Sequence, residues 1–176
     1  MRERKQDLFE IILEPGIDAV CITTNGNYSR QGLAIMGGGC ARVAAEKWQQ
    51  LPRNLGKCLK THGNNIPYII GATNELGDYI ELDHQMIVNK EYKCLIFSFP
   101  TINSLNDGGA SLDLIKRSAV LMMDYANSYK LKGVVCARFG SGIGGLNWYD
   151  EVFPVVKDIL DDRFIVVCQE QDELRN

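Results

Sequence analysis

The chain has 176 residues and a mass of 19.7 kDa, with 45% apolar and 23% charged residues. This predicts a single soluble domain, residues 1–176, large enough to bury a core without disulfide or metal staples. Its 19 basic and 22 acidic residues give a net charge of −3, which excludes nucleic-acid or anionic-membrane binding driven by bulk charge, but not capture of a small anion by a few aimed dipoles.

No apolar run approaches the roughly 20 residues of a membrane span. The charged residues 1–7 lack the apolar heart of a signal peptide. Cys21, Cys40, Cys58, Cys94, Cys136 and Cys168 form no CxxC pair. Scattered thiols of this kind suit a reducing cytoplasm, not a disulfide scaffold or zinc ribbon. His62 and His84 stand far apart without a ligand pattern, so neither a metal site nor a cofactor is expected.

In chain order, strand and helix patterns alternate. Residues 19–24 (AVCITT) are apolar and β-branched and end at the turn signal Asn25-Gly26. Residues 40–50 follow a glycine triplet, place Ala41, Ala44, Ala45 and Trp48 on one helical face, and stop at Pro52. Residues 51–89 are the least legible. Within them, 67–72 and 78–82 look like a strand pair joined by 74–77. Lys57, Lys60 and His62 read as a solvated face or as a basic patch near a ligand mouth. Residues 93–99 (KCLIFSF) predict a strand ending at Pro100, and residues 103–109 a loop beyond that strand end, placed to join a pocket rim. Residues 111–130 read as a helix with Ser111 as its N-cap and Leu112, Ile115, Ala119, Met122 and Ala126 at helical spacing. A strand over 133–137 follows, then a helix over 149–160 with Val152, Val155, Val156 and Ile159 inward, and a last strand over 163–168. Asp161-Asp162 before Arg163 reads as a turn with a local salt bridge in preference to a catalytic dyad. The alternation predicts an α/β sandwich with a parallel or mixed sheet, in which ligands bind outside the carboxyl ends of the strands.

Two glycine-rich segments stand at such places: residues 25–40 (NGNYSRQGLAIMGGGC) and 138–148 (RFGSGIGGLNW). Glycine lets backbone N–H groups approach a ligand, and consecutive N–H groups at a helix start form an anion nest. Neither segment is a P-loop or a Rossmann fingerprint. They serve either tight turns alone or a clamp for a pyrophosphate, and their equivalent positions favour the clamp. Asn25 and Asn27 read as turn residues or as hydrogen-bonders to sugar hydroxyls, the turn being preferred for Asn27. Asp18 reads as a solvated carboxylate or as an acceptor for an exocyclic amine. Phe139 and Trp148 read as core or loop anchors in preference to ligand-stacking rings.

The stretches Asp18-Ala19-Val20, Thr23-Thr24-Asn25-Gly26 and Met36-Gly37-Gly38-Gly39-Cys40-Ala41 resemble the first half of a macro domain. Residues 138–148 resemble that family's phosphate loop, and Asp161-Asp162-Arg163-Phe164 resembles a bacterial and phage branch. The resemblance spans about residues 7–168. It implies a three-layer α/β/α sandwich with a mixed, largely parallel central sheet, binding ADP-ribose or a related NAD-derived nucleotide as a reader or sink. It implies that Asp18, beside Ala19, holds the adenine amino group and that Asn25 bonds the distal ribose. Gly38, Gly39, Cys40 and Ala41 would approach the distal ribose and a phosphate. Ser141, Gly142, Ile143, Gly144, Gly145 and Leu146 would wrap the diphosphate.

The chain also departs from the family pattern. In relatives that remove ADP-ribose from proteins or DNA, a lysine typically follows a Phe-Pro-Thr-like segment; here Phe99-Pro100-Thr101 is followed by Ile102. Gly144 stands where some such enzymes carry an acid, and Ala137 replaces the proline usual before the loop's arginine. The first two departures argue against a lysine-dependent ADP-ribosyl glycohydrolase. The alternative to binding alone is a weak hydrolase, such as an ADP-ribose 1''-phosphate phosphatase or an O-acetyl-ADP-ribose deacetylase, with Asn25 as the catalytic residue orienting water or the distal ribose. A third reading is an interaction domain whose loops hold nothing.

Overall fold

The computed structural model describes residues 1–169 and Leu174. In chain order its elements are β1 (Arg2–Lys5), α1 (Leu8–Ile11), β2 (Ala19–Asn25), α2 (Gly39–Lys47), α3 (Leu51–His62), β3 (Ile69–Thr73), β4 (Tyr79–Ile80), α4 (His84–Asn89) and β5 (Cys94–Ile102). A 3-10 turn (Leu105–Asp107), α5 (Leu112–Ser128) and β6 (Val134–Ala137) follow. A π-type turn (Trp148–Val152) then runs into α6 (Phe153–Val156), and β7 (Phe164–Cys168) closes the fold.

The strands form one seven-stranded sheet in the order β1-β7-β6-β2-β5-β3-β4. The first five of that order are parallel; β3 runs antiparallel to β5, and β4 to β3. Central strands covered on both faces must be apolar at every position, and β5 is buried from Cys94 through Thr101. Side-chain alternation divides them between two cores. Val20, Ile22, Ile96 and Val135 meet α1, α2 and α3 through Ile11, Ala44, Leu51 and Leu55. Cys21, Leu95, Phe97 and Cys136 meet α5 and α6 through Ile115, Ala119, Met122 and Val156. The fold is therefore the expected three-layer α/β/α sandwich with a mixed, largely parallel sheet.

Several expected boundaries move. Helix α2 ends at Lys47, and Pro52 does not simply stop a helix: it sits in the first turn of α3, where its missing N–H has no intrahelical acceptor to lose. Strand β5 runs past Pro100 to Ile102. Pro100 lies opposite Thr24, where the β2–β5 register slips, so its missing donor falls at an irregularity. The helix expected over 149–160 is a π-type turn and one short helix; Val152 and Val156 are buried, and Val155 and Ile159 only half so. The loop after β5 contains a 3-10 turn with a Ser104–Asp107 capping box. Strand β1, with the charged sequence RERK, carries no strand pattern, and α1, α3 and α4 add to the expected elements. The Asp161–Arg163 pair is formed at 2.7 Å, and Phe139 and Trp148 are buried as anchors. Among the described residues, no helix is long and apolar enough to cross a membrane, and no trio of His, Cys, Asp or Glu could hold a metal ion.

Candidate functional site

Strands β2 and β6 are adjacent and parallel, so the two glycine loops leave the same edge of the sheet side by side. They touch: the Ile143 side chain lies directly against Gly38, in the space that a Cβ on Gly38 would need. In the first loop, Gly38 caps α2 with no side-chain hydrogen bond, and Gly39 takes a positive φ of 54°. The first backbone bond of this helix is from Arg42 N–H to Gly38 O at 3.1 Å. The N–H groups of Gly39, Cys40 and Ala41 therefore have no carbonyl partner, as at any uncapped helix start.

In the second loop, Leu146 N–H donates to Gly140 O and Gly145 N–H to Gly142 O, both at 3.0 Å, and Ala110 N–H donates to Gly144 O at 2.9 Å. These bonds fold the loop back on itself. They leave the N–H groups of Ser141, Gly142, Ile143 and Gly144 without a protein acceptor among the described residues. The chain can make this turn because Gly140 adopts φ 67°, and because Gly144 packs so tightly that a Cβ there would stand 2.5 Å from Gly140 O and 2.7 Å from Ala110 Cβ. Four such donors beside an uncapped helix N-terminus make an anion cradle without a cationic side chain.

At the end of β2, the Asn25 amide ties its own loop together: Nδ2 donates to Ile35 O at 2.8 Å, and Oδ1 accepts from Asn27 N–H at 2.9 Å. Asn27 is more than a turn residue, since its Oδ1 accepts the Leu105 N–H at 2.8 Å across to the 3-10 turn. Asn25 is registered opposite Ile102, whose carbonyl accepts from Asn64 Nδ2 at 2.8 Å. Gly26 N–H donates to Asn103 O at 3.1 Å. Asn103 begins the 103–109 loop expected at the pocket rim; Asn64 carries no sequence signal, because it reaches this corner only through tertiary contact. Cys40 Sγ lies 3.1 Å from Thr23 Oγ1. Burial pushes the Cys40 thiol up, with the Thr23 hydroxyl opposing in part, so Cys40 contributes a neutral wall and not a thiolate. Lys57, Lys60 and His62 are exposed on α3, which matches the solvated-face reading.

Asp18 and Ala19 require correction. Both stand at the amino end of β2, seven residues from Asn25 and roughly 20 Å from the glycine loops. Asp18 Oδ2 accepts the Lys132 N–H at 2.5 Å, and Ala19 is wholly buried in the core beneath α5. Neither can reach a ligand held between the loops. An exposed carboxylate at the same edge as the glycine loops is Asp7, which follows β1 and caps α1. Its Oδ1 accepts from Phe9 N–H at 2.7 Å and Glu10 N–H at 3.2 Å, and the residue is exposed. Its signal was an N-cap aspartate before the apolar pair Leu8 and Phe9, hidden because β1 does not read as a strand.

Neither a family model nor a curated protein sequence matches the chain. Solved structures do match its fold. The Thermosipho africanus DarTG in complex with ADP-ribose aligns with a TM-score of 0.69 at 16% identity over 96% of this chain, which spans 41% of that protein's length. The macrodomain of Mycobacterium tuberculosis DarG aligns with a TM-score of 0.64 at 17% identity, over 94% of this chain and 95% of that one. A macrodomain protein from Streptomyces coelicolor gives 0.60 at 13% identity, covering 96% and 98%. The chain has the macrodomain fold.

Proposed function

We propose that this chain, acting as one domain over residues 1–176, binds ADP-ribose or a related NAD-derived nucleotide between its two glycine loops, as a reader or sink that needs no cofactor. The observation that carries this is the set of seven backbone N–H groups, three at α2 and four in the second loop, that meet no protein oxygen at a shared sheet edge. Neutral donors in this number suit a diphosphate on a protein of net charge −3. The Thermosipho protein of the same fold, solved with ADP-ribose, supports the choice of nucleotide.

In this reading Ser141, Gly142, Ile143 and Gly144 bond the diphosphate, while Gly145 and Leu146, whose N–H groups are already used, shape the loop. Gly38 to Ala41 take the second phosphate and the distal ribose. Asp7, in place of Asp18, receives the base amine on its outward oxygen. Asn25 holds its loop and keeps one N–H and one lone pair for a ribose hydroxyl. Calorimetric titration with ADP-ribose is expected to give saturable heat; none at high micromolar concentration would overturn the proposal.

Binding is favoured over hydrolysis because Ile102, registered opposite Asn25, is a hydrocarbon that can neither attack nor transfer a proton. Phosphate release from ADP-ribose 1''-phosphate, or acetate release from O-acetyl-ADP-ribose, is expected to stay at background. Release that falls in Asn25→Ala would turn the reader into a hydrolase.

A further inference from the structure

A glutamate is almost never buried unless donors surround its carboxylate. Glu3, on the edge strand β1, is such a residue, with its side chain 12% exposed. Its Oε1 accepts from Arg138 Nε at 3.1 Å and from Trp148 Nε1 at 2.9 Å, and its Oε2 accepts from the Tyr149 hydroxyl at 3.0 Å. Arg138 Nη2 donates to the same hydroxyl at 2.9 Å, and the guanidinium carbon lies 4.9 Å from the Tyr149 ring centroid. Arg138 opens the second glycine loop; Trp148 and Tyr149 close it. One carboxylate therefore clamps both ends of the segment that carries the unpaired N–H groups. The Arg138 guanidinium, itself 13% exposed, is held by Glu3 and Tyr149 on the flank of the loop.

We propose that Glu3 is the positioning residue of the second glycine loop: by fixing the separation of the loop's ends, it sets the spacing of the Ser141 to Gly144 N–H groups and hence the affinity for a diphosphate. This rests on the ADP-ribose reading. The physical basis is preorganisation. Few backbone bonds hold residues 139–147 internally, so a loop released at its ends must be ordered again at each binding event.

Glu3→Gln keeps the shape of the side chain, removes its charge and sets an NH2 donor against the donors that now converge there. Calorimetry with ADP-ribose and with AMP, and amide hydrogen exchange of residues 139–147 against α5, test the proposal. The variant is expected to lose about tenfold in ADP-ribose affinity, to lose less for AMP, which makes fewer phosphate contacts, and to exchange faster in 139–147 alone. Unchanged affinity with unchanged loop exchange overturns it. So does exchange that accelerates equally in α5, since that marks general support of the fold. If the unaltered protein binds no ADP-ribose, the functional reading fails, while faster exchange confined to the loop still upholds Glu3 as its clamp. Should Glu3→Gln not fold, Tyr149→Phe, which removes a single hydroxyl from the network, decides in the same way with an expected loss of about threefold.

Discussion

The two edges of the sheet use their polar groups differently: the amino edge sets lysines beside a small cavity, and the carboxyl edge presents backbone N–H groups. At the amino edge, Lys90, Lys93 and Lys130 line a cavity of about 80 Å³ with Asp18, Tyr92 and Tyr129. Of these lysines, Lys93 answers acceptors already in place. Lys93 Nζ donates to Glu14 O and Ile17 O, both at 3.0 Å, while Lys90 and Lys130 take left-handed conformations where α4 and α5 end. Cations at helix C-termini balance the carbonyl dipoles there. The carboxyl edge has glycine loops, a helix start without a side-chain cap, and N–H groups that meet no protein oxygen. In the proposed reading, backbone donors and not formal charges meet the anion.

Four substitutions test this contrast. The largest effect is expected of Gly144→Val. Its side chain would meet Gly140 O and Ala110, so it should lower stability by about 1–3 kcal/mol and reduce ADP-ribose affinity beyond about a hundredfold, read by melting and calorimetry together. Next comes a matched pair across the sheet. Asp7→Asn retains an oxygen to cap α1 but turns the outward one into a donor, so affinity should fall about 10- to 100-fold with little change in melting. Asp18→Asn should leave affinity unchanged; a loss there would restore Asp18 to the site and break the contrast. Gly142→Ala adds a methyl where nothing lies within 4 Å and φ is not positive. The fold should tolerate it, and an affinity loss of up to about tenfold would put the methyl in the ligand's space.

The layered fold was legible because β2, β5, β6 and β7 are apolar runs and α5 has both a cap and a period. The two glycine loops were legible because glycine at consecutive positions has few other uses. Asp18 was misplaced because an aspartate before an apolar strand looks the same at either edge of a sheet; only strand polarity separates them. Asp7 and Glu3 were missed for one shared reason. Glu3 lies in the edge strand RERK and Asp7 just after it; every residue of that strand is charged, so period and composition are silent where β1 is held by pairing to β7 and by three donors to a single carboxylate. Asn64 depends on chain segments brought together from far apart, which no local pattern encodes.

The smallest effect belongs to the amino edge. Asp161, just before β7, accepts from Arg163, which also donates to Asn127 Oδ1 at 2.7 Å. Hydrogen bonds from Arg163 hold the Asp161 carboxyl below its ordinary value. A carboxylate depressed on folding adds stability above its unfolded pKa, near 3.9, and that stability is lost as pH falls through the folded value. Because the pair is 23% and 39% exposed, its worth is at most about 1 kcal/mol. Asp161→Asn should therefore unfold at slightly lower urea than the unaltered protein at pH 7, and the gap should close below about pH 4. ADP-ribose affinity at pH 7 should not change. An altered affinity would mean that the two edges communicate through β7, whose far end pairs with β1 beside Asp7, and the separation of support from binding would fail at that strand.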